Sequence, residues 1–365
     1  MKRHLLLFLL LWAVPFPAYA AEPIVYRGET TLWTDTIWQG EVLIDGILTV
    51  APGTTLEIRP GTIIRFTFFD SNNDGIGEHE IFIQGVLRAS GTRNAPILFT
   101  SAQPSPHPGA WGAINLMASE NESELNFCII KYAYRGFHGH FALARLQDDE
   151  FRQNVRGAQF QESEVSFERC SFVDNFNGLQ FRDSRVRFEA LDVTNNYWGM
   201  RGVHSQVSMN AGRVSGNLVN GINLRDCDAI ITATVLEKNR KGLYLQKSRG
   251  EIRNSLFRNN SEHGIYLEES EVTITGNRLL NNGRAGIKWV ASQGPLQQNS
   301  FDGGSEYALI NDSAAPVVAQ GNWWGSADAK AIALSIRDGA DRDGVGRVDA
   351  SAFLLAPPEF VLLLQ

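Results

Sequence analysis

The sequence predicts an all-β chain, a right-handed parallel β-helix solenoid with 21-22-residue coils and terminal caps. Three observations predict it. Glycines recur in one phase, at Gly136, Gly157, Gly178, Gly199, Gly221, Gly242, Gly264 and Gly286. Asparagines run just ahead of them, at Asn154, Asn175, Asn196, Asn217, Asn239, Asn260 and Asn282. Apolar residues keep the same phase and alternate with polar ones at period two, as in Gly242-Leu243-Tyr244-Leu245 and Val272-Thr273-Ile274, which is strand patterning. Short strands separated by turns in each repeat describe one coil, and coils stack at the strand spacing of about 4.8 Å. Like residues then lie over like residues, so a stack of buried asparagines can bond amide to amide, where a lone buried amide would be costly.

The elements follow in chain order. Residues 1–20 read as a signal peptide: Lys2 and Arg3, an apolar run from Leu5 to Trp12, and the small-x-small site Ala18-Tyr19-Ala20, placing the mature start near Ala21. The run is too short to span a bilayer, and no later stretch is long and apolar enough to do so. Residues 21–130 are expected to be an N-terminal cap and irregular coils, with strand-like runs at Leu48-Thr49-Val50, Leu56-Glu57-Ile58, Ile63-Ile64-Arg65-Phe66 and Ile81-Phe82-Ile83 divided by Pro-Gly turns. Residues 131–325 are the regular helix. Residues 326–365 are a C-terminal cap with a short helix within 327–337, and the apolar tail Phe360 to Leu364 packs on the last coil.

Composition narrows the function. Net charge is −7 with no Lys/Arg stripe, which argues against nucleic acid. Three cysteines cannot make a disulfide framework. Cys227 replaces one rung of a serine column (Ser163, Ser184, Ser205, Ser248, Ser270, Ser292), and Cys128 and Cys170 lie two coils, about 10 Å, apart. Three free, buried thiols are expected.

The Asn/Gly repeat resembles right-handed parallel β-helix repeat proteins of the pectin-lyase-like superfamily, exported bacterial type. The block from Gly46 to Thr62, the segment Pro96 to Ser101 followed by Gly109-Ala110-Trp111-Gly112, and Gly321-Asn322-Trp323-Trp324-Gly325 are similar to their opening and final coils. The resemblance spans nearly all of the mature chain and implies fold and export. It does not choose among the lyases, hydrolases, epimerases and adhesins of the superfamily.

Three groups of residues are candidate sites. Asp70, Asn72, Asp74, Ile76 and Glu78 supply oxygens at alternate positions with Gly75 sixth, the first half of a calcium loop, so calcium is the expected cofactor. Its twelfth position is Ile81, so the match is incomplete. A second acidic loop, 338–349, lacks a full ligand ladder. Five residues after each glycine stands a mixed-sign column, and Asp183, His204, Asp226 and Lys247 would be the catalytic residues of an enzyme. A solenoid also alternates charges simply to avoid like-charge stacking. Phe176, Tyr197 and Trp198 near the asparagine turn, with Tyr244 and Tyr266 on adjacent coils, offer aromatic faces to sugar rings. His138 and His140, two apart on a strand, form a weaker metal candidate.

The constant spacing from Gly136 to Gly286 leaves little room for cleft-building loops. The reading is therefore an exported, non-catalytic protein, periplasmic or extracellular, binding a polysaccharide or other cell-envelope component along its flank. The alternatives are a polysaccharide lyase or glycoside hydrolase of pectin-lyase-like type, and a structural adhesin or spacer.

Overall fold

A computed structural model describes residues 22–118 and 121–360; the signal-peptide assignment and tail residues 361–365 lie outside the described residues. The chain is an all-β right-handed solenoid of about 13 turns. β1 (Ile24–Leu32), β2 (Thr36–Trp38) and β3 (Glu41–Val50) open it, and every strand pairing between coils is parallel.

Each regular coil has three sides. In one coil they are Asn177–Arg182, Arg185–Glu189 and Asp192–Thr194. We call the stacks of such strands the glycine face, the broad face and the short face. The broad face is a 12-stranded sheet. The other two faces join through the first coils, because β1 and β3 run round the corner between them.

Corners need backbone that turns without a strand partner, and each uses one residue in the left-handed region. Before the serine column these are Glu162, Asp183, His204, Asp226, Lys247 and Glu269, with φ from 48° to 53°. The next residue closes the corner by ladder bonding: Ser184 Oγ accepts from Ser163 N at 3.1 Å, and Cys227 keeps the series through its own N–H to Ser248 Oγ. At the asparagine corner Asn154 Nδ2 donates to Asn175 Oδ1 at 3.0 Å and to the Ile130 carbonyl, and the pattern repeats to Asn282. This satisfies amides that burial would otherwise leave unpaired.

The glycines are a matter of space. A Cβ on Gly221 would lie 2.7 Å from the Gly242 carbonyl oxygen and 2.9 Å from Asn239 Nδ2. The coil above and the amide ladder occupy the place of any side chain, so the glycine column and the asparagine column imply each other.

Inward residues stack into continuous columns. Phe151 lies on Phe172 at 4.7 Å with planes 2° apart, and Phe160 on Phe181 and Phe167 on Phe188 at 5.5 Å. The three cysteines are buried and free, as expected. A short helix, α1 (Ala329–Leu334), capped by Asp328, follows the regular coils at the C-terminal end. Two loops break the regularity, residues 67–79 and 102–110, both inserted at the asparagine corner of the early coils. Sequence spacing after Gly136 carried no sign of them. Among the described residues no helix is long and apolar enough to cross a membrane.

Candidate functional site

The mixed-sign column lies on the serine corner, pointed outward by its left-handed turns. His204 stands 3.5 Å from both Asp183 and Asp226, Lys247 is 3.7 Å from Glu269, and Arg182 and Arg225 pair with Asp183 and Asp226. These side chains are well exposed, so each pair is screened and contributes about 0–1 kcal/mol. The structure lines up Asp183, His204, Asp226 and Lys247 in order along a ridge, His204 standing between the two aspartates and Lys247 pairing onward with Glu269.

The loop 67–79 turns its acidic side chains onto its own backbone. Asp70 accepts from Asp74 N and Gly75 N, Asn72 Oδ1 from Asp74 N at 3.0 Å, Asp74 Oδ1 from Ile76 N at 2.8 Å, and Glu78 from Ser71. Asp70, Asn72, Asp74 and Glu78 thus gather round one turn, with Ile76 contributing only backbone. Among the described residues no three His, Cys, Asp or Glu side chains converge as metal ligands, His138 and His140 included. In the second acidic loop Asp338 accepts from Ala340 N and Val348 N, which makes it a turn-holding residue.

The aromatics divide between two places. Phe176 and Tyr197 stack at 4.8 Å on the asparagine corner, and Trp198 meets Tyr197 edge-on while Arg201 lies over its ring. Tyr244 and Tyr266 stack at 4.7 Å on the glycine face. They belong to a network that the repeat did not advertise. Lys241 lies 5.5 and 5.3 Å from the two ring centres and 3.3 Å from Glu262, which also pairs with Arg240 and His263. Lys288 covers Tyr266 from the next coil. Tyr244 donates to Glu268, and burial together with that carboxylate pushes the phenol upward. Burial lowers Lys241, opposed by Glu262, and brings His263 down to about 4, again opposed by Glu262. At neutral pH His263 is therefore uncharged.

A second cluster lies near the N-terminal end of the same face. Glu80 Oε2 accepts from Asn115 Nδ2 at 2.9 Å, and Asn115 Oδ1 meets His138 Nδ1 at 2.7 Å. An amide oxygen only accepts, so the imidazole proton sits on Nδ1 and the Nε2 lone pair is left to the outside. Burial, then the charges of Arg135, His140 and Arg156, brings His138 down to about 4. Burial raises Glu80, against the pull of Asn115 and Arg135. Arg135 and Arg156 both lie over the Tyr134 ring, at 4.7 and 4.8 Å. Gly109 of the loop 102–110 donates to the Tyr132 carbonyl and accepts from Gly77 N of the loop 67–79, so the two inserted loops are tied together at the corner beside this cluster.

One observation links both clusters. Arg135 Nε, Arg156 Nε, Gln159 Oε1, Asn177 Oδ1, Asn220 Oδ1 and His263 Nδ1 are buried without a hydrogen-bond partner. They are six of the ten such atoms among the described residues, and all lie on the glycine face, one residue before the repeat glycine or two after it. Buried polar groups are nearly always paired, with protein or with ordered water, so these six atoms need partners that the chain itself does not supply. The broad face carries an open groove, lined by alternating charges such as Arg185, Arg187, Glu189, Asp228 and Arg249, and its strands contribute one unpaired buried atom, Asn126 Oδ1, at its N-terminal end.

Two family models match the chain, "Right handed beta helix region" over residues 156–324 and "Pectate-lyase like beta helix domain" over residues 29–126. No curated protein matches in sequence. Similar solved structures include the periplasmic alginate epimerase AlgG, at 15% identity over 86% of this chain and 77% of that one with a TM-score of 0.40. A pectate lyase is 15% identical over 85% of this chain and 70% of the other, with a TM-score of 0.35. An alginate lyase from a Paenibacillus strain is 12% identical over 80% and 92%, with a TM-score of 0.29.

Proposed function

We propose that this chain, which belongs to the right-handed parallel β-helix proteins of pectin-lyase-like type, is exported and binds an extended glycan along its glycine face. The line of unpartnered buried polar atoms from Arg135 to His263 carries the reading. Arginine N–H groups require acceptors, amide oxygens require donors, and a polysaccharide presents both at short intervals. Tyr244, Tyr266 and Trp198 add ring faces that suit sugar C–H surfaces. Phe176 and Tyr197 form a rim on the corner, and the mixed-sign ridge lies on a different edge of the coil. An array of acidic and neutral glycans tests this. Binding should fall at least about tenfold in Arg156→Ala and Lys241→Ala and stay unchanged in Arg187→Ala on the broad face. Equal loss in all three, or none, removes the assignment.

The Glu80–Asn115–His138 relay favours a second reading, a polysaccharide lyase or hydrolase. A neutral imidazole with an oriented Nε2 beside two arginines can take a proton while the arginines hold an anion. Release of unsaturated products or new reducing ends, abolished in His138→Ala, would establish it. On that reading the reacting group would lie on the glycine face rather than at Asp183, His204, Asp226 or Lys247. A protein that neither binds nor cleaves any glycan is the adhesin or spacer. Calcium at Asp70, Asn72, Asp74 and Glu78 is a separate proposal, supported by the Asp-x-Asn-x-Asp-Gly spacing and by the tight turn those residues share.

A further inference from the structure

The first coil of the solenoid is an open end. β1 pairs only with β3, and β2 only with the strand Thr55–Ile58, so among the described residues the other edge of each meets no strand. Three large apolar side chains are exposed there: Trp33 is 76% exposed, Ile37 50% and Val25 37%. An uncovered strand edge recruits another strand unless something blunts it. At the opposite end the last strand on the glycine face, Ile336–Arg337, has only two residues and offers no comparable edge.

β1 has a particular shape and sequence. Gly28 takes a left-handed φ of 65° and bends the strand at the corner between the short and glycine faces. The arm Ile24–Arg27 pairs with Val42–Asp45 on one side of the bend, and Glu29–Leu32 pairs with Ile47–Val50 on the other. About Gly28 the two arms are complementary in reverse order: Ile24 answers Leu32, Val25 answers Thr31, and Arg27 answers Glu29.

We propose that this end joins two copies of the chain, β1 pairing antiparallel with β1 of the second copy across a two-fold axis through Gly28. A half-turn about the line that bisects the bend exchanges the arms and reverses their direction. Ile24–Arg27 of one copy then runs antiparallel to Glu29–Leu32 of the other. Arg27 faces the second copy's Glu29, Ile24 faces its Leu32, and Trp33 comes over its Pro23. The same axis leaves the triangular coil through the middle of its third side, at Ile37, so β2 meets its own copy and the two Ile37 side chains cover each other. Such an interface is isologous, and a sequence complementary to itself in reverse is what it requires. The open amides and the exposed apolar side chains are covered in one step.

Sedimentation velocity on the purified protein across a dilution series tests this, with circular dichroism melts to show that each variant is folded. The parent should dimerise. Glu29→Arg, which sets arginine against arginine, should weaken the dimer at least about tenfold. Arg27→Glu should do the same, although it also removes the ion pair of Arg27 with Asp45 at 3.7 Å. The double exchange Arg27→Glu with Glu29→Arg should restore dimerisation. A parent that stays monomeric overturns the proposal, as does a dimer indifferent to Glu29→Arg or not recovered in the double exchange.

Discussion

At the residue scale the structure assigns side chains to columns, and exceptions within a column are informative. Asp149 is one. It stands in the corner column that includes Cys128, Cys170, Thr234, Ser255, Asn277, Asn299 and Asn322, and like the last five of these it accepts the N–H of the preceding coil, Cys128 N at 2.7 Å. Asn277 uses its second atom, Nδ2, to donate to the Ile252 carbonyl; the matching atom of Asp149, Oδ2, has no partner. Only a protonated Asp149 can act as the asparagines do. Burial raises its carboxyl to about 8, against the backbone bond from Cys128, and Asp148 raises it further; Asp148 itself is held by Arg169, and the thiols of Cys128 and Cys170 are raised by the same burial. The folded value lies above the ordinary value near 4, so the folded state keeps a proton that the unfolded chain has lost. Stability from this residue is therefore whole below about pH 4 and declines by about 1.4 kcal/mol per unit as pH rises toward 8. His138 and His263, lowered to about 4, act oppositely between pH 4 and 6.5, so the parent alone gives a mixed profile. The comparison isolates Asp149: Asp149→Asn should melt well above the parent at pH 8 and close to it at pH 4. Equal melting differences at both pH values would refute the protonated rung.

At the element scale the coils were legible from sequence and the site was not, for one physical reason. A repeat reveals its structural columns through sameness. The coils share the glycine, the asparagine and, but for Cys227, the serine, so Gly221, Asn239 and Ser248 announce themselves. A ligand surface occupies the columns that vary. The residue before the repeat glycine is Arg135, Arg156, Asn177, Trp198, Asn220, Lys241 and then His263, which no period reveals. Its constant feature, a polar or aromatic residue flanking the close-packed glycine, was the available signal. Tyr244 and Tyr266 were visible because two adjacent coils agree. The second asparagine ladder, Asn277 to Asn299 to Asn322, escaped notice because the earlier coils fill that column with other residues. The loops 67–79 and 102–110 lie outside the regular spacing altogether. The first of them is testable as an element. Calorimetric titration of chelator-stripped protein with calcium should give saturable binding that Asp74→Ala removes, with the rest of the solenoid melting as before. An identical response in parent and variant would place any calcium elsewhere.

At the scale of the whole molecule the solenoid is a ruler. Coils advance by about 4.8 Å, close to the advance of one sugar ring, and the glycine face runs unbroken from the coil of Arg135 to that of Lys288. The face is not uniform along that length. Its N-terminal end carries Arg135, Arg156 and the His138 relay, its middle the amides Asn177, Gln180, Asn220 and Asn223 with Arg201 over Trp198, and its far end Lys241, Lys288 and the stacked tyrosines. On the proposed glycan-binding reading, a short oligosaccharide satisfies one end only. A longer one satisfies both, and its second contact forms within a complex already made, where the effective concentration is high. Affinity should therefore rise with chain length in two stages, a weak plateau for short oligomers and a second rise when the chain spans both ends. Added salt should weaken the long-chain affinity most, because a longer chain meets more of the cations along the face. Titrations with a ladder of oligosaccharides of one composition provide the measurement, repeated with Lys241→Ala, which should remove the second rise and leave the first. Affinity that stops increasing once a few rings are bound would show a local pocket in place of a face. The loss of the first stage in Arg156→Ala, or of the second in Lys241→Ala, would then identify which end holds it.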